Sequence, residues 1–256
     1  LERGTRSVLR RALEEDVLSA VSGDRIRREI DKVFTDSTYG LDPVAALRRM
    51  SQWGLLGALD SGLVVPPSAV LPLRRLGKAV ARPPWRSSRF RPFHSGLAIW
   101  LAELPPAVRQ RTLRRLSVRG EAAERVMGFA RFRHQKLAAL TRARGRGAVD
   151  GLLMGIHEES LHALYAAATP PMRKQIFRWA AEDRQSKIPL TGADLVALGL
   201  EGAALGQVLA RLRAGFLDNE LVNREEALTL AQELLRRPVR KASGRQKSSA
   251  RRSSDE

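Results

Sequence analysis

The residue sets from which active sites are built are scarce in this sequence, and the nearest approach to one is His157-Glu158-Glu159-Ser160-Leu161-His162. A zinc site of the protease type needs two histidines four residues apart on one helix face. Five apart, as here, they stand about 140° from each other around the axis. The run reads as two ordinary helix histidines, and no metal is expected on it. No Ser/His/Asp set, Cys/His pair, Walker loop or Gly-rich dinucleotide turn occurs. There is no Asp-x-Asp pair either, the arrangement by which a strand holds two metal ions across a triphosphate. A self-contained active site is therefore not expected, and no cofactor is expected to be bound by this chain.

What the sequence has in excess is arginine. Its 256 residues carry 45 Lys and Arg against 27 Asp and Glu, a formal net charge of +18. Any one basic pair, such as Arg10-Arg11, Arg48-Arg49 or Arg74-Arg75, reads as a solvated helix face. The summed field is different, because it attracts a polyanion wherever the individual side chains sit. Nucleic acid fits that description. A membrane partner is not expected, since no apolar run approaches the roughly 18 residues a span requires. The lack of cysteine excludes disulfides and zinc-thiolate sites and fits a reducing cytoplasm, the expected location.

The cations that composition and position favour as RNA contacts are Arg25 and Arg28, Arg82 and Arg86, Arg144 and Arg146, and Arg211 and Arg213. Arg82, Arg86 and Arg89 flank Trp85, a composition suited to stacking on an unpaired base or equally to a packed loop anchor. Trp100 and Trp179 stand in apolar helical surroundings and are expected in the core, while Trp53, just before Gly54, is expected to close a helix. Arg144 and Arg146 belong to Arg142-Ala143-Arg144-Gly145-Arg146-Gly147, read as a basic loop between helices. Residues 201–206 read as a tight turn, with a helix starting at Gln207. That helix start could hold a phosphate, or the glycines could simply allow close packing.

Apolar residues recur at helical spacing from end to end with no sustained alternation, so an all-α fold is expected. Helices are expected over residues 5–20, over 22–34 with Ser22 as cap, and after Asp42-Pro43. A break rich in Pro and Arg follows at 62–92. Body helices are expected over 94–102, 105–116, 121–143, 149–167 and 171–184. Past Ile188-Pro189, Thr191 caps a short helix with Asp194 in its first turn, and Gly199 takes the left-handed position that stops it. Asp218-Asn219 turns the chain again, and Asn223 with Glu226 opens the last helix as a capping box. Beyond Pro238, Lys and Arg stand among Ser, Gly and Gln with no apolar face, and disorder is expected.

Several of these stretches carry a family resemblance. Leu190-Thr191-Gly192-Ala193-Asp194-Leu195-Val196-Ala197-Leu198-Gly199, with Gly206-Gln207-Val208-Leu209 after it, resembles the C-terminal signature of bacterial tRNA nucleotidyltransferases and their poly(A) polymerase relatives. Ser22-Gly23-Asp24-Arg25-Ile26-Arg27-Arg28-Glu29-Ile30, Asp42-Pro43-Val44-Ala45-Ala46-Leu47 and Trp53-Gly54-Leu55-Leu56 resemble the neck of the same enzymes. Leu116-Ser117-Val118-Arg119 and Trp179 echo the body. Ala203 stands where the family has Pro, and Asp218-Asn219 where it has Asp-Gly.

The resemblance implies an extended multi-helix array: neck helices at 1–62, a Pro/Arg-rich transition at 63–92, a helical body at 93–187, a tail module at 188–237 and a disordered basic tail at 238–256. It implies the RNA-gripping part of an enzyme that adds nucleotides to RNA 3′ ends, whether CCA, A or a poly(A) tail, with tRNA or another structured RNA as partner. Mg²⁺ and ATP or CTP are expected only for the catalytic head, which is missing here. The chain starts at Leu1, where the family's neck continues from that head. It is thus expected to be a C-terminal portion, or one half of a split enzyme with a separately encoded head. The alternatives are a stand-alone, non-catalytic RNA-binding helical protein and a basic scaffold for an acidic partner.

Overall fold

The computed structural model describes residues 3–80, 84 and 92–236. The expectations on Arg82, Trp85, Arg86 and Arg89, and on the basic segment after Pro238, lie outside the described residues. Among those described, every regular element is helical, in line with the all-α expectation. The chain divides into two compact units, one ending at Ser186 and the other starting at Lys187.

The first unit opens with α1 (Arg3–Glu14), a 3₁₀ turn (Val17–Ala20), α2 (Gly23–Asp36), α3 (Pro43–Gln52) and α4 (Leu55–Leu59). The single helix expected over 5–20 is cut short because Asp16 takes a left-handed conformation at φ 50°. Glu14, Glu15 and Asp16 crowd the helix C-terminus there, where acidic charge opposes the dipole. Ser22 occupies the N-cap position of α2 but makes no capping bond, whereas the Asp42 carboxylate accepts from Val44 N at 2.9 Å and caps α3 as expected.

The expected break at 62–92 contains α5 (Pro67–Val80) instead. Pro67 starts the helix, where a missing N–H costs nothing. Ala69, Leu73 and Leu76 then recur at three and four residues and are buried, which outweighs the internal Pro72. The unit continues with α6 (Pro92–Leu101), α7 (Pro106–Arg115), α8 (Gly120–Arg142), α9 (Gly145–Leu153), α10 (Glu158–Ala167) and α11 (Pro170–Ala181). The helix expected over 149–167 is two, parted at Gly155, whose φ is 77°. The loop expected at 142–147 shrinks to Ala143 and Arg144, which link the end of α8 to the start of α9.

One apolar cluster runs from Ile26 to Ala180 and includes Phe34, Leu47, Leu73, Trp100, Phe129, Leu164 and Trp179. Trp100 donates to the Val64 carbonyl and Trp179 to Asp150 Oδ1, each at 2.8 Å, so both core indoles are satisfied. Two glycines let backbones meet. A Cβ on Gly23 would lie 2.4 Å from the Arg115 carbonyl oxygen, and one on Gly77 would lie 2.4 Å from that of Ser37.

The second unit packs α12 (Gly192–Ala197), α13 (Gly202–Leu217) and α14 (Arg224–Arg236) around Leu190, Leu195, Leu200, Val208, Leu212 and Ala231. Thr191 and Asp194 form the capping box on α12, Gly199 ends it at φ 88°, and Asn219 turns the chain at φ 58°. Glu226 N donates to Asn223 Oδ1 at 2.9 Å, opening α14 as expected. The Asp194 carboxyl is held below its ordinary range by Arg224, then by Thr191. The start expected at Gln207 is corrected to Gly202. Gly206 lies inside α13, where a Cβ would meet nothing within 4 Å, so neither the close packing nor the phosphate site at Gln207 stands.

Gly77→Ala should cost about 1–3 kcal/mol, since backbone at Ser37 has to yield. Gly128→Ala, with open space inside α8, should gain up to about 1 kcal/mol. Equal melting temperatures for the two variants would refute the close approach. A second expectation concerns acid. Hydrogen bonding from His162, then Arg184, lowers the Glu158 carboxyl to about 2. A depressed carboxyl stabilises the fold fully above its ordinary pKa of 4.5, and that contribution fades as pH falls toward 2. Urea melts of Glu158→Gln should therefore show a deficit of about 1–2 kcal/mol at pH 7 that closes near pH 2.

Candidate nucleic-acid interface

The N-terminal corner of the first unit is made by α1, the 3₁₀ turn, α2, α3 and α4. Arg115, at the end of α7, donates to the carbonyls of Leu18 at 2.5 Å and Val21 at 3.0 Å and so pins the turn to the unit. Gly23 packs on the Arg115 backbone beside it, so α2 leaves the corner from a fixed point.

Two clefts open here. One, of about 790 Å³, is lined by Arg6, Arg10, Arg49 and Trp53 together with Leu9, Leu13 and Glu14. The other, of about 420 Å³, is apolar, with Ile26, Ile30, Met50, Leu55 and Leu59 below Arg25 and Arg28. Helical spacing builds both. Arg6 and Arg10 are four apart on α1, Arg25 and Arg28 three apart on α2, and Arg49 and Trp53 four apart at the end of α3. The Arg49 guanidinium carbon stands 5.8 Å from the centroid of the Trp53 ring, a cation–π contact that orients both.

Residues 1–60 carry as many acidic as basic side chains, and Glu14 and Glu29 line the clefts, but five of the arginines stand outside ion pairs. Arg11 pairs with Glu15 at 3.5 Å and Arg27 with Asp24 at 2.8 Å. Among the described residues, Arg6, Arg10, Arg25, Arg28 and Arg49 pair with no carboxylate. Guanidinium forks able to clasp phosphate thus stand beside an indole able to stack on a base.

The other sequence-derived candidates lie elsewhere. Arg144 turns back to the carbonyls of Thr141 and Ala143 at the end of α8. Arg146 is not on a free loop: it stands in the first turn of α9 and pairs with the fully buried Asp183, with Glu182 at 3.4 Å. In the second unit Arg211 pairs with Glu220 at 2.8 Å, and Arg213 is half-buried on α13. His157 precedes α10 at the surface, while His162 is buried within it. Sequence reasoning set Trp53 aside as a helix end, which it is, and missed the basic cleft it lines. The signal was there in Arg49 and Trp53, four apart on one helix face.

No family model matches the chain. Over 244 residues, 90% of its length, it is 24% identical to the A-adding tRNA nucleotidyltransferase of Geobacter sulfurreducens, of which it covers 27%. Among solved structures, a CCA-adding enzyme in complex with ATP matches at a TM-score of 0.71 and 20% identity, over 92% of this chain and 56% of that one. The Thermotoga maritima CCA-adding enzyme complexed with tRNA matches at 0.70 and 20% identity, with the same coverage. The chain has the fold of part of a CCA-adding enzyme. Its resemblance to the tRNA nucleotidyltransferases, first visible in scattered motifs, extends along nearly its whole length. It spans about a quarter of the curated relative and a little over half of the solved CCA-adding enzymes. No helix among the described residues is long and apolar enough to cross a membrane.

The two kinds of arginine should respond differently to removal. Arg146→Ala leaves the Asp183 carboxylate short of a partner in the interior and should cost about 2–4 kcal/mol in chemical denaturation. Arg28→Ala should stay within about 0.5 kcal/mol. Equal losses would mean that internal pairing does not separate them.

Proposed function

We propose that this chain is the tRNA-gripping part of a tRNA nucleotidyltransferase, holding the RNA while nucleotides are added to its 3′ end. The observation that carries this reading is the set of unneutralised arginines around Trp53 and along α2, on a fold shared with CCA-adding enzymes. Recognition would be by shape and phosphate, because A-form RNA hides its base edges in a deep, narrow groove. Arg10, Arg25, Arg28 and Arg49 supply the contacts from the first unit. Arg144, Arg211 and Arg213 are weaker candidates. Arg211 is exposed, and an exposed ion pair is weak enough to be exchanged for a phosphate.

The nucleotide-adding chemistry belongs to a catalytic head outside this sequence. Among the described residues no group of three or more His, Cys, Asp or Glu stands close enough to hold a metal ion. Mg²⁺ and ATP or CTP would act in that head, and this chain, given Mg²⁺ and ATP, should add no nucleotide to tRNA.

Reversing charge at Arg10 and Arg49 together should weaken tRNA binding at least about tenfold and flatten the log-log salt dependence by about two. Fluorescence anisotropy across a salt series reads both. Unchanged affinity would remove the corner from the interface. Wild-type binding to tRNA no tighter than to a random hairpin of equal length would sink the tRNA assignment and leave a general RNA binder.

A further inference from the structure

Away from the N-terminal corner, two arginines from different helices converge on one carbonyl. Arg75 of α5 donates from Nη1 to the Ala168 oxygen at 3.5 Å, and Arg173 of α11 donates from Nη1 to the same oxygen at 3.0 Å. Both side chains are half-buried, and among the described residues no carboxylate pairs with either. Arg111 is neutralised by Asp60, Arg125 by Glu159 and Arg146 by Asp183, while Arg109 and Arg115 each end singly on backbone carbonyls. Among the described residues, two guanidiniums share this site with an uncharged carbonyl as their hydrogen-bond acceptor and the Tyr165 phenol nearby.

One N–H of each guanidinium serves the Ala168 oxygen, and among the described residues the remaining donors of both forks make no other hydrogen bond. Two like charges held together without a counter-charge store repulsion that an anion would relieve. Burial, then the neighbouring Arg173 cation, pulls the Arg75 guanidinium below its ordinary pKa, the direction expected of a crowded cationic site. The backbone adds to the field. Ala168 leads through Thr169 into α11, a 12-residue helix with no acid in its first turn and no side-chain cap from Thr169. Its positive end therefore meets no local negative charge.

We propose that Arg75 and Arg173 form a phosphate-binding site that takes one phosphate of an RNA backbone. Guanidinium forks suit the ligand, since each can present two parallel N–H donors to phosphate oxygens. The RNA assignment rests on the function proposed above. The phosphate assignment rests on the geometry alone.

The test uses the full chain. Inorganic phosphate, compared with sodium chloride at equal ionic strength, should raise the melting temperature of the wild type more than that of Arg173→Gln. In anisotropy with a tRNA transcript over a salt series, Arg173→Gln should bind about fivefold more weakly, with a salt slope smaller by about one. Arg173→Lys keeps the charge and loses the fork, and should fall between the two. It decides the matter alone if the Gln variant does not fold. Equal phosphate responses and equal tRNA slopes in wild type and variants would overturn the site. Loss of the phosphate response with an unchanged tRNA slope would assign it to free phosphate and overturn its RNA role. A wild-type chain that responds to phosphate and binds no tRNA would defeat the proposed function and leave the phosphate site standing.

Discussion

Helix α6 buries nine of its ten residues, and a helix that is apolar all round has to be wrapped on every side. The helices that wrap it are α2, α5, α8 and α10. Its few polar atoms are also taken up: Ser95 donates to the Glu159 carbonyl, and His94 Nδ1 lies against the Glu159 carboxylate, each at 2.8 Å. Glu159 is held below its ordinary range chiefly by that His94 hydrogen bond, against the opposing effect of burial. Two of the wrapping helices carry cations, Arg25 and Arg28 exposed on α2 and Arg75 half-buried on α5. Burial of α6 therefore fixes where those charges stand, and a change in its packing would move the cations without touching them.

The distribution of charge follows from how the acids are used. With 27 carboxylates against 45 basic side chains, cations must be left over, and the question is where. Asp60 and Asp183 are buried and each holds a surface arginine inward, Arg111 and Arg146. The Asp60 carboxyl is lowered by its Arg111 hydrogen bonds and by the Gly62 N–H, which keeps it charged despite burial. Asp42 and Asp194 act at helix starts and also hold Arg74 and Arg224. Residues 1–60 carry ten basic and ten acidic side chains, so the N-terminal corner holds none of the net excess, and five of its arginines are set apart by lacking an ion-pair partner among the described residues.

Local chemistry was the legible part of the sequence. The Thr191 and Asp194 capping box, the Asp42 cap, the Gly199 stop and the Asn219 turn all depend on residues within a few positions of each other. So did the all-α class, which needs only apolar spacing. What could not be read depended on distant partners. The prolines at 66, 67 and 72 suggested a break, and only the surrounding core shows why α5 forms through them. Arg146 looked like part of a basic loop because Asp183 lies 37 residues away in sequence. A paired and an unpaired arginine are the same letter, so the basic corner emerged only once the ion pairs around it could be counted out. Gly23 is the converse: its place after Ser22 was visible, and its reason is the Arg115 backbone on another helix.

Two populations of arginine give the chain two different responses to salt. The pair between Arg146 and the buried Asp183 is shielded from ions, and screening acts on it weakly. The arginines around Trp53 and on α2 face solvent, where a Debye length of about 8 Å at physiological ionic strength weakens attraction to a polyanion steeply. Under the proposed function, RNA bound at such positions would gain its free energy largely from released counterions, and that gain would shrink as salt rises. The core, held by apolar burial and shielded pairs, is not weakened in parallel. On the proposed function, a helical unit arranged this way would let go of an RNA without loosening its core, because the arginines around Trp53 and on α2 are not the ones paired with buried carboxylates.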